Sequence, residues 1–392
     1  MQVAIEHLNW RGEGVGEGQT FRNVLAGEII DSATGQIIQS SAERIAPFCK
    51  YYVSCGGCQL QHWQQVPYQD WKKNLVTAAL LKRGIEFPVS DIIDAHGAGR
   101  RRVSLHVRRK EGIVFAGFMA ARSHDLIDID QCPILVPDLR NSTDIARKLG
   151  SKLGDCDVSL TAADNGLDVS IKAERKIAGE QMPRLAGLVA ELNLARLTIN
   201  GNMVATRAMP VVSIGKTLVQ VPPGSFLQAT KAGEEALSTL VMNSLDKAKS
   251  VADLFCGVGP FALRIAEKAK ITAIDSDKPA IASLAQAARL TTGIKPLKAE
   301  VRDLMREPVV ANELKDFDAV VFDPPRAGAE AQARQLAKST VKIVAAVSCD
   351  PASFARDAEI LISGGYRLKS LTAVDQFKWT SHVEIVAAFS RN

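Results

Sequence analysis

Asp253-Leu-Phe-Cys-Gly257-Val-Gly259-Pro-Phe-Ala262 continues an apolar run that begins at Val251. An apolar strand that breaks at two glycines reads as a strand-to-helix turn, tight enough for a ligand to approach the backbone. The next apolar run, Ile271 to Ile274, closes on Asp275, whose carboxylate can accept hydrogen bonds from ribose hydroxyls. Two further runs, Ala319 to Phe322 and Ile343 to Ser348, follow, with helical stretches between them. Short strands alternating with helices predict a doubly wound α/β sheet with its ligands at the carboxyl ends of the strands.

The glycine spacing also satisfies the loose dinucleotide pattern Gly-x-Gly-x-x-Ala, so the loop alone leaves a nicotinamide cofactor open. Two features tilt the choice toward S-adenosylmethionine. Asp253 precedes the glycines, near where a cationic amino-acid moiety would lie, and Asp323-Pro-Pro-Arg326 ends a later strand. Two prolines fix the backbone there and hold the Asp323 carboxylate at the strand tip; a structural turn capped by Asp323 is the plainer reading.

Cys349 ends the strand Ile343 to Ser348, and Asp350 and Pro351 behind it suit the N-cap and first position of a helix over Ala352 to Leu361. A thiol at a helix N-terminus is favoured as thiolate, although most cysteines are simply packed. Cys256, inside the glycine loop, competes for the role of nucleophile and is expected to line the cofactor pocket. A thiolate that adds to carbon 6 of a uracil would activate carbon 5 for methylation, after which a base must remove the carbon 5 proton. Ser381-His382-Val383-Glu384-Ile385 offers two candidates, His382 and Glu384, and its residues alone do not choose between them.

Outward from this region, length and composition bound the rest. A chain of 392 residues accommodates two or three domains. With 46% apolar and 23% charged residues it has globular composition, and its net charge of +5 accommodates a nucleic-acid partner without requiring one. No apolar run approaches the roughly 20 residues that span a bilayer, and the polar start lacks a signal-peptide core, so a cytoplasmic protein with no membrane partner is expected. Residues 1–46 alternate short apolar runs with glycines and read as a small β module. Residues 47–220 begin with a cysteine cluster and a helix over Tyr68 to Arg83, then turn to strands, including a hairpin through Asp164-Asn165-Gly166. Pro222-Pro223-Gly224 marks the change to alternating strands and helices over residues 221–392.

The seven cysteines form no disulfide framework in such a chain. Cys49, Cys55 and Cys58, with Gly56-Gly57 between the last two, can join Cys132 to bind zinc or a four-iron cluster, and their spacing does not choose between the two. Cys156 stands outside this pattern as a structural residue. Arg100, Arg101, Arg102, Arg108, Arg109 and Lys110 bracket an alternating strand without acidic neighbours, which predicts either a basic rim for RNA phosphates or a charge-protected sheet edge.

Taken together, these motifs resemble the RNA uracil-5-methyltransferases. Gln228 in Phe226-Leu-Gln-Ala-Thr230, the loop Asp253 to Gly259, Asp275, Asp323-Pro-Pro-Arg326, Ser348-Cys349-Asp350-Pro351 and His382-Val-Glu384 occur in that family's order. The resemblance implies a class I methyltransferase domain at the carboxyl end, a central α/β domain and a small OB-like amino-terminal module, short for that domain, with Arg11-Gly-Glu-Gly-Val15 and Leu25-Ala-Gly-Glu28 as its matching stretches. It implies Cys349 as nucleophile, Glu384 as base, and Gln228, Phe255, Asp275 and Asp323 as the S-adenosylmethionine site. Thr230 and Pro260 depart from it, each standing where the family has asparagine. Cys-Gly-Gly-Cys followed by Gln61-His62-Trp63 is similar to the ribosomal RNA branch, which implies a [4Fe–4S] cluster on Cys49, Cys55, Cys58 and Cys132 and 23S ribosomal RNA as partner. The expected protein is a monomer whose target uridine lies in a loop or is flipped out. A transfer RNA uridine-5-methyltransferase, an NAD-dependent oxidoreductase and a cluster-bearing RNA-binding protein without catalysis are the alternatives.

Overall fold

The computed structural model describes residues 1–174, 179–245 and 247–392. The carboxyl-terminal runs form an eight-stranded sheet. In spatial order it holds Leu297–Val301, Lys270–Asp275, Ser250–Leu254, Ala319–Phe322, Ile343–Ser348, Glu384–Ser390, Arg367–Asp375 and Ile93–Asp94. The first five are parallel, and Glu384–Ser390 enters antiparallel beside Ile343–Ser348. Strand order reverses beside Ser250–Leu254, so a crevice opens at its carboxyl end, next to that of Ala319–Phe322.

Alternation along each strand explains why these runs are apolar throughout. Val251, Ala273, Val321 and Ala345 face one core, packed by Leu237 and Val241 of the helix Lys231–Ser244 and by Ile281 and Leu284 of Lys278–Leu290. Ala252, Ile274, Val320, Phe322 and Ala346 face the other, under Leu336 of Glu330–Lys338 and Phe354 and Leu361 of Pro351–Ser363. A parallel sheet covered on both faces needs apolar residues in both registers. The helix Gln65–Leu81 also belongs to this second core through Val76 and Leu80, and Ile93–Asp94 extends the sheet edge. Two elements from the middle of the chain are thus built into the carboxyl-terminal fold.

Val211–Ile214 pairs with Thr217–Gln220 in a two-stranded sheet of its own, and seven further strands, the first of them in chain order Arg102–Lys110, form a separate sheet, with the expected hairpin joining Cys156–Ala163 to Gly166–Ala173. The helices Ser142–Leu153 and Met182–Glu191 pack against it. Residues 1–46 supply two three-stranded sheets of very short strands around Val3, Ile5, Val24 and Ile30. Among the described residues no helix is long and apolar enough to cross a membrane.

Candidate active site

The strand Ser250–Leu254 runs into a turn in which Phe255, Gly257 and Gly259 all take left-handed backbone angles, φ 62°, 53° and 90°. At Gly259 a side chain would meet Leu284 Cδ1 at 2.5 Å, whereas the space above Gly257 is open. Gly257 N–H donates to Asp275 Oδ2 at 2.8 Å and Asp277 N–H to Asp275 Oδ1 at 2.8 Å, so two strand tips are locked by one carboxylate. Asp277 then caps the helix Lys278–Leu290 by accepting from Ala280 N–H.

A cavity of about 600 Å³ lies over this turn. Gln228, Phe255, Asp275, Asp323, Cys349 and Glu384, six residues singled out from the sequence and drawn from six separate strands and loops, all line it. Cys256 and His382 line it too. Asp350 caps the helix behind Cys349, accepting from Ala352 and Ser353 N–H at 3.0 and 2.9 Å, as its neighbours predict.

The helix N-terminus is not the main influence on Cys349. Burial pushes the Cys349 thiol up to about 12, and the Glu384 and Asp323 carboxylates act in the same direction while Arg326 opposes them. Partial charge at a helix end is outweighed by the loss of water around the thiol, with the neighbouring acids adding to it. The same crowding acts on the acids themselves. Burial, then the charge of Asp323, raises Glu384, and burial raises Asp323 and the deeper Asp253. Three buried carboxyls with raised affinity for protons are a favourable setting for a cation.

The acids are joined by amides. Gln228 Nε2 donates to Asp323 Oδ2 at 3.1 Å; Gln376 Nε2 donates to Gln228 Oε1 at 2.7 Å and to Glu384 Oε1 at 3.0 Å. Gln376 is completely buried and was not singled out by the sequence, since no motif marks it; its only signal is a place one residue beyond a strand that ends next to Glu384. Gly233 lets the helix Lys231–Ser244 approach it, for a side chain there would lie 2.6 Å from Gln376 Oε1. Arg326 Nη2 lies 3.1 Å from His382 Nε2, which requires that ring nitrogen to accept. Burial and then Arg326 push His382 down to about 4, so its ring is neutral. Phe226 stands 65% exposed at the mouth with Arg102 stacked over its ring at 4.9 Å.

The arginine strand is only partly a rim. Arg101 is buried, pairing with Glu234 at 2.6 Å and donating to Gln228 O, and Arg102 donates to Leu227 O. Both hold the Gln228 segment in place, because a guanidinium supplies several donors to a loop whose carbonyls have no strand partner. Arg109 and Lys110 do face solvent.

Cys49, Cys55, Cys58 and Cys132 line a second, smaller cavity of about 150 Å³, together with Tyr52 and Arg100. Lys50 and Tyr51 both bond Asp130, at 2.7 and 2.8 Å, and so bring the first cysteine segment to the loop of Cys132. A side chain at Gly56 would lie 2.9 Å from Met119 O, which accounts for a glycine between the cysteines. Burial raises the thiols, Cys58 to about 11 and Cys132 to about 12. Among the described residues no three of His, Cys, Asp or Glu are close enough to hold one metal ion. Cys156 is buried in its strand, away from both cavities.

A sheet of this order with its cavity at the reversal point defines a class I S-adenosylmethionine-dependent methyltransferase. The family model for tRNA (uracil-5-)-methyltransferase matches residues 195–392, and an uncharacterized RNA methyltransferase of Brucella suis is 42% identical over 100% of this chain and 98% of its own. The chain belongs to the tRNA (uracil-5-)-methyltransferase family, and it is an S-adenosylmethionine-dependent RNA (uracil-5-)-methyltransferase. The 23S rRNA (uracil(1939)-C(5))-methyltransferase RlmD of Halomonas elongata is 32% identical over 98% of this chain and 88% of its own. The fold matches that of the Pyrococcus abyssi tRNA (uracil-54, C5)-methyltransferase, solved with S-adenosyl-L-homocysteine, at a TM-score of 0.75 and 22% identity over 99% of both chains.

Proposed function

We propose that this enzyme methylates a uridine of 23S ribosomal RNA, with Cys349 as nucleophile and Glu384 as base. The observation that carries the chemistry is that a thiol and a carboxylate face one cavity at the sheet's reversal point, the carboxylate fixed by the Gln376 amide. The Cys349 thiol gives up its proton to solvent as its sulfur adds to carbon 6 of the flipped uracil, and the pair of electrons moves through carbon 5 to the oxygen on carbon 4. S-adenosylmethionine, when bound, would supply the electrophilic methyl group for carbon 5 and leave as S-adenosylhomocysteine. Glu384 then takes the carbon 5 proton, the carbon 6–sulfur bond breaks, and Cys349 leaves as thiolate. His382, neutral and hydrogen-bonded to Arg326, orients that arginine at the cavity wall and is not the base. Asp275, Phe255, Gln228 and Asp323 hold the cofactor; the open space over Gly257 and the excess of buried carboxyls suit a cofactor that carries a sulfonium and an ammonium group. Residues 1–46 and 47–220 present the RNA, and Phe226 with Arg102 offers a stacking face at the mouth.

The ribosomal branch is supported by the cysteines and by the RlmD relative. Four thiols lining one cavity are a donor set that suits a [4Fe–4S] cluster, and the Cys-Gly-Gly-Cys stretch resembles the branch that holds one. A [4Fe–4S] cluster there would tie the Cys49–Cys58 segment to Cys132 and stabilise both as thiolates.

The test is nucleoside mass spectrometry after incubation with S-adenosylmethionine and either unmodified 23S ribosomal RNA or unmodified transfer RNA. The expected product is 5-methyluridine in ribosomal RNA alone. Its appearance in transfer RNA alone overturns the substrate, and full activity of Cys349→Ala overturns the mechanism.

A further inference from the structure

Glu384 begins a strand, but the chain reaches it through residues 376–383, a strap with no regular structure of its own. Gln376, Phe377 and His382 of this strap face the active site or its network. An irregular segment keeps its shape only through bonds to its surroundings. At its start the helix Gln65–Leu81 holds it: Lys72 pairs with Asp375 and donates to Phe377 O at 3.2 Å, and Tyr68 hydroxyl accepts from Trp379 N–H at 2.8 Å. At its centre Trp379 adopts a left-handed angle, φ 63°, which a tryptophan takes only when neighbours impose it.

Those neighbours flank the cavity cysteines. Trp379 O accepts from both Gln59 N–H at 2.8 Å and Leu60 N–H at 3.1 Å. Ser381 N–H donates to Gln59 Oε1 at 3.2 Å. Phe48 meets the Trp379 ring edge-on, with centroids 4.7 Å apart. Phe48 directly precedes Cys49 and Gln59 directly follows Cys58, so the strap is gripped by the two ends of the cysteine segment. That segment is itself built of turns, tied to the loop of Cys132 by the bonds of Lys50 and Tyr51 to Asp130, so a group held by the four thiols would fix its shape further.

We infer that Gln59 is a positioning residue that couples occupation of the cysteine cavity to the shape of the 376–383 strap, and through it to the placement of Gln376 and Glu384. This rests on the reading of that cavity as a cluster site. The cluster takes no part in methyl transfer here. Its influence passes through the backbone of Gln59 and Leu60 to the carbonyl of Trp379, and through the Gln59 side chain to Ser381.

The experiment compares the iron–sulfur-reconstituted full-length protein with the same protein stripped by chelator. Iron and sulfide per chain are measured together with amide hydrogen exchange of peptides covering residues 376–383 and, as control, residues 251–262. Stripping is expected to speed exchange in the strap about tenfold or more while the glycine loop and S-adenosylhomocysteine affinity stay within about twofold. Gln59→Ala, still loaded, is expected to speed strap exchange and to lower kcat about tenfold with little change in KM for RNA, and Gln59→Glu, which keeps an acceptor, to restore both. Strap exchange indifferent to loading in a protein that does bind iron and sulfide, or wild-type exchange and kcat in Gln59→Ala, overturns the coupling. A protein that binds no iron overturns the cluster reading and the coupling with it, an outcome distinguished by the metal analysis alone.

Discussion

Glu384 acts as a base only when ionised, and its surroundings oppose ionisation. Burial comes first, then the charge of Asp323; the Gln376 amide is the donor that favours the carboxylate. The acidic limb of the activity profile, where activity rises with pH as Glu384 ionises, should therefore lie above the ordinary carboxylate range. Gln376→Leu removes a donor to the charged form, so the limb should move further upward, read as the pH profile of kcat/KM; an unmoved profile would show that the amide does not tune the base. Glu384→Gln should form the carbon 6 adduct and fail to release it, leaving a covalent protein–RNA band on a denaturing gel. Cys349 was legible because Asp350 and Pro351 announce a helix directly behind it. The Gln376 amide was not, because its partners, Gln228 and Glu384, are 148 and 8 residues away in sequence and meet only once the sheet has formed.

Helix starts and strand tips decide where these residues point. Thr230 is buried at the N-cap of Lys231–Ser244, accepting from Gly233 N–H at 2.8 Å and donating to Ala95 O at 2.6 Å. Its departure from the family's asparagine thus has a structural role at the end of the Gln228 loop. Thr230→Val should cost about 2 kcal/mol, roughly one for the cap and one for the bond to Ala95, measured as a lower urea midpoint. Apolar runs foretold four strands of the carboxyl-terminal sheet, and Asp350 with Pro351 foretold one of its helices, since run composition and cap chemistry are local; the strands Leu297–Val301 and Arg367–Asp375 were not foretold. The arginine strand was harder. The basic residues look alike in sequence, yet Arg101, just before the strand, turns to Glu234 and Gln228 while Arg109 and Lys110 at its far end stay outside, a choice made by which end of the strand meets the methyltransferase fold.

A buried ion pair within the central sheet positions an arginine that reaches toward that fold. Arg196 lies 1% exposed, binds Asp168 with two bonds of 2.8 and 2.7 Å, and donates to Val221 O at the head of the carboxyl-terminal region. Arg196→Leu leaves Asp168 buried without a partner and should lower stability by about 3–5 kcal/mol, whereas the double change with Asp168→Leu should recover most of it. Both are read from urea denaturation. The sequence by itself determined the doubly wound sheet, the glycine turn and the motifs of the active site, because apolar period, turn residues and caps act between neighbours along the chain. Only the tertiary structure decided that six scattered residues share one cavity, that four cysteines surround another, and that the helix Gln65–Leu81 packs with the carboxyl-terminal core. Those outcomes depend on the order and packing of strands far apart in the chain, and the burial they create pushes the Cys349 thiol up against the pull of its helix N-terminus.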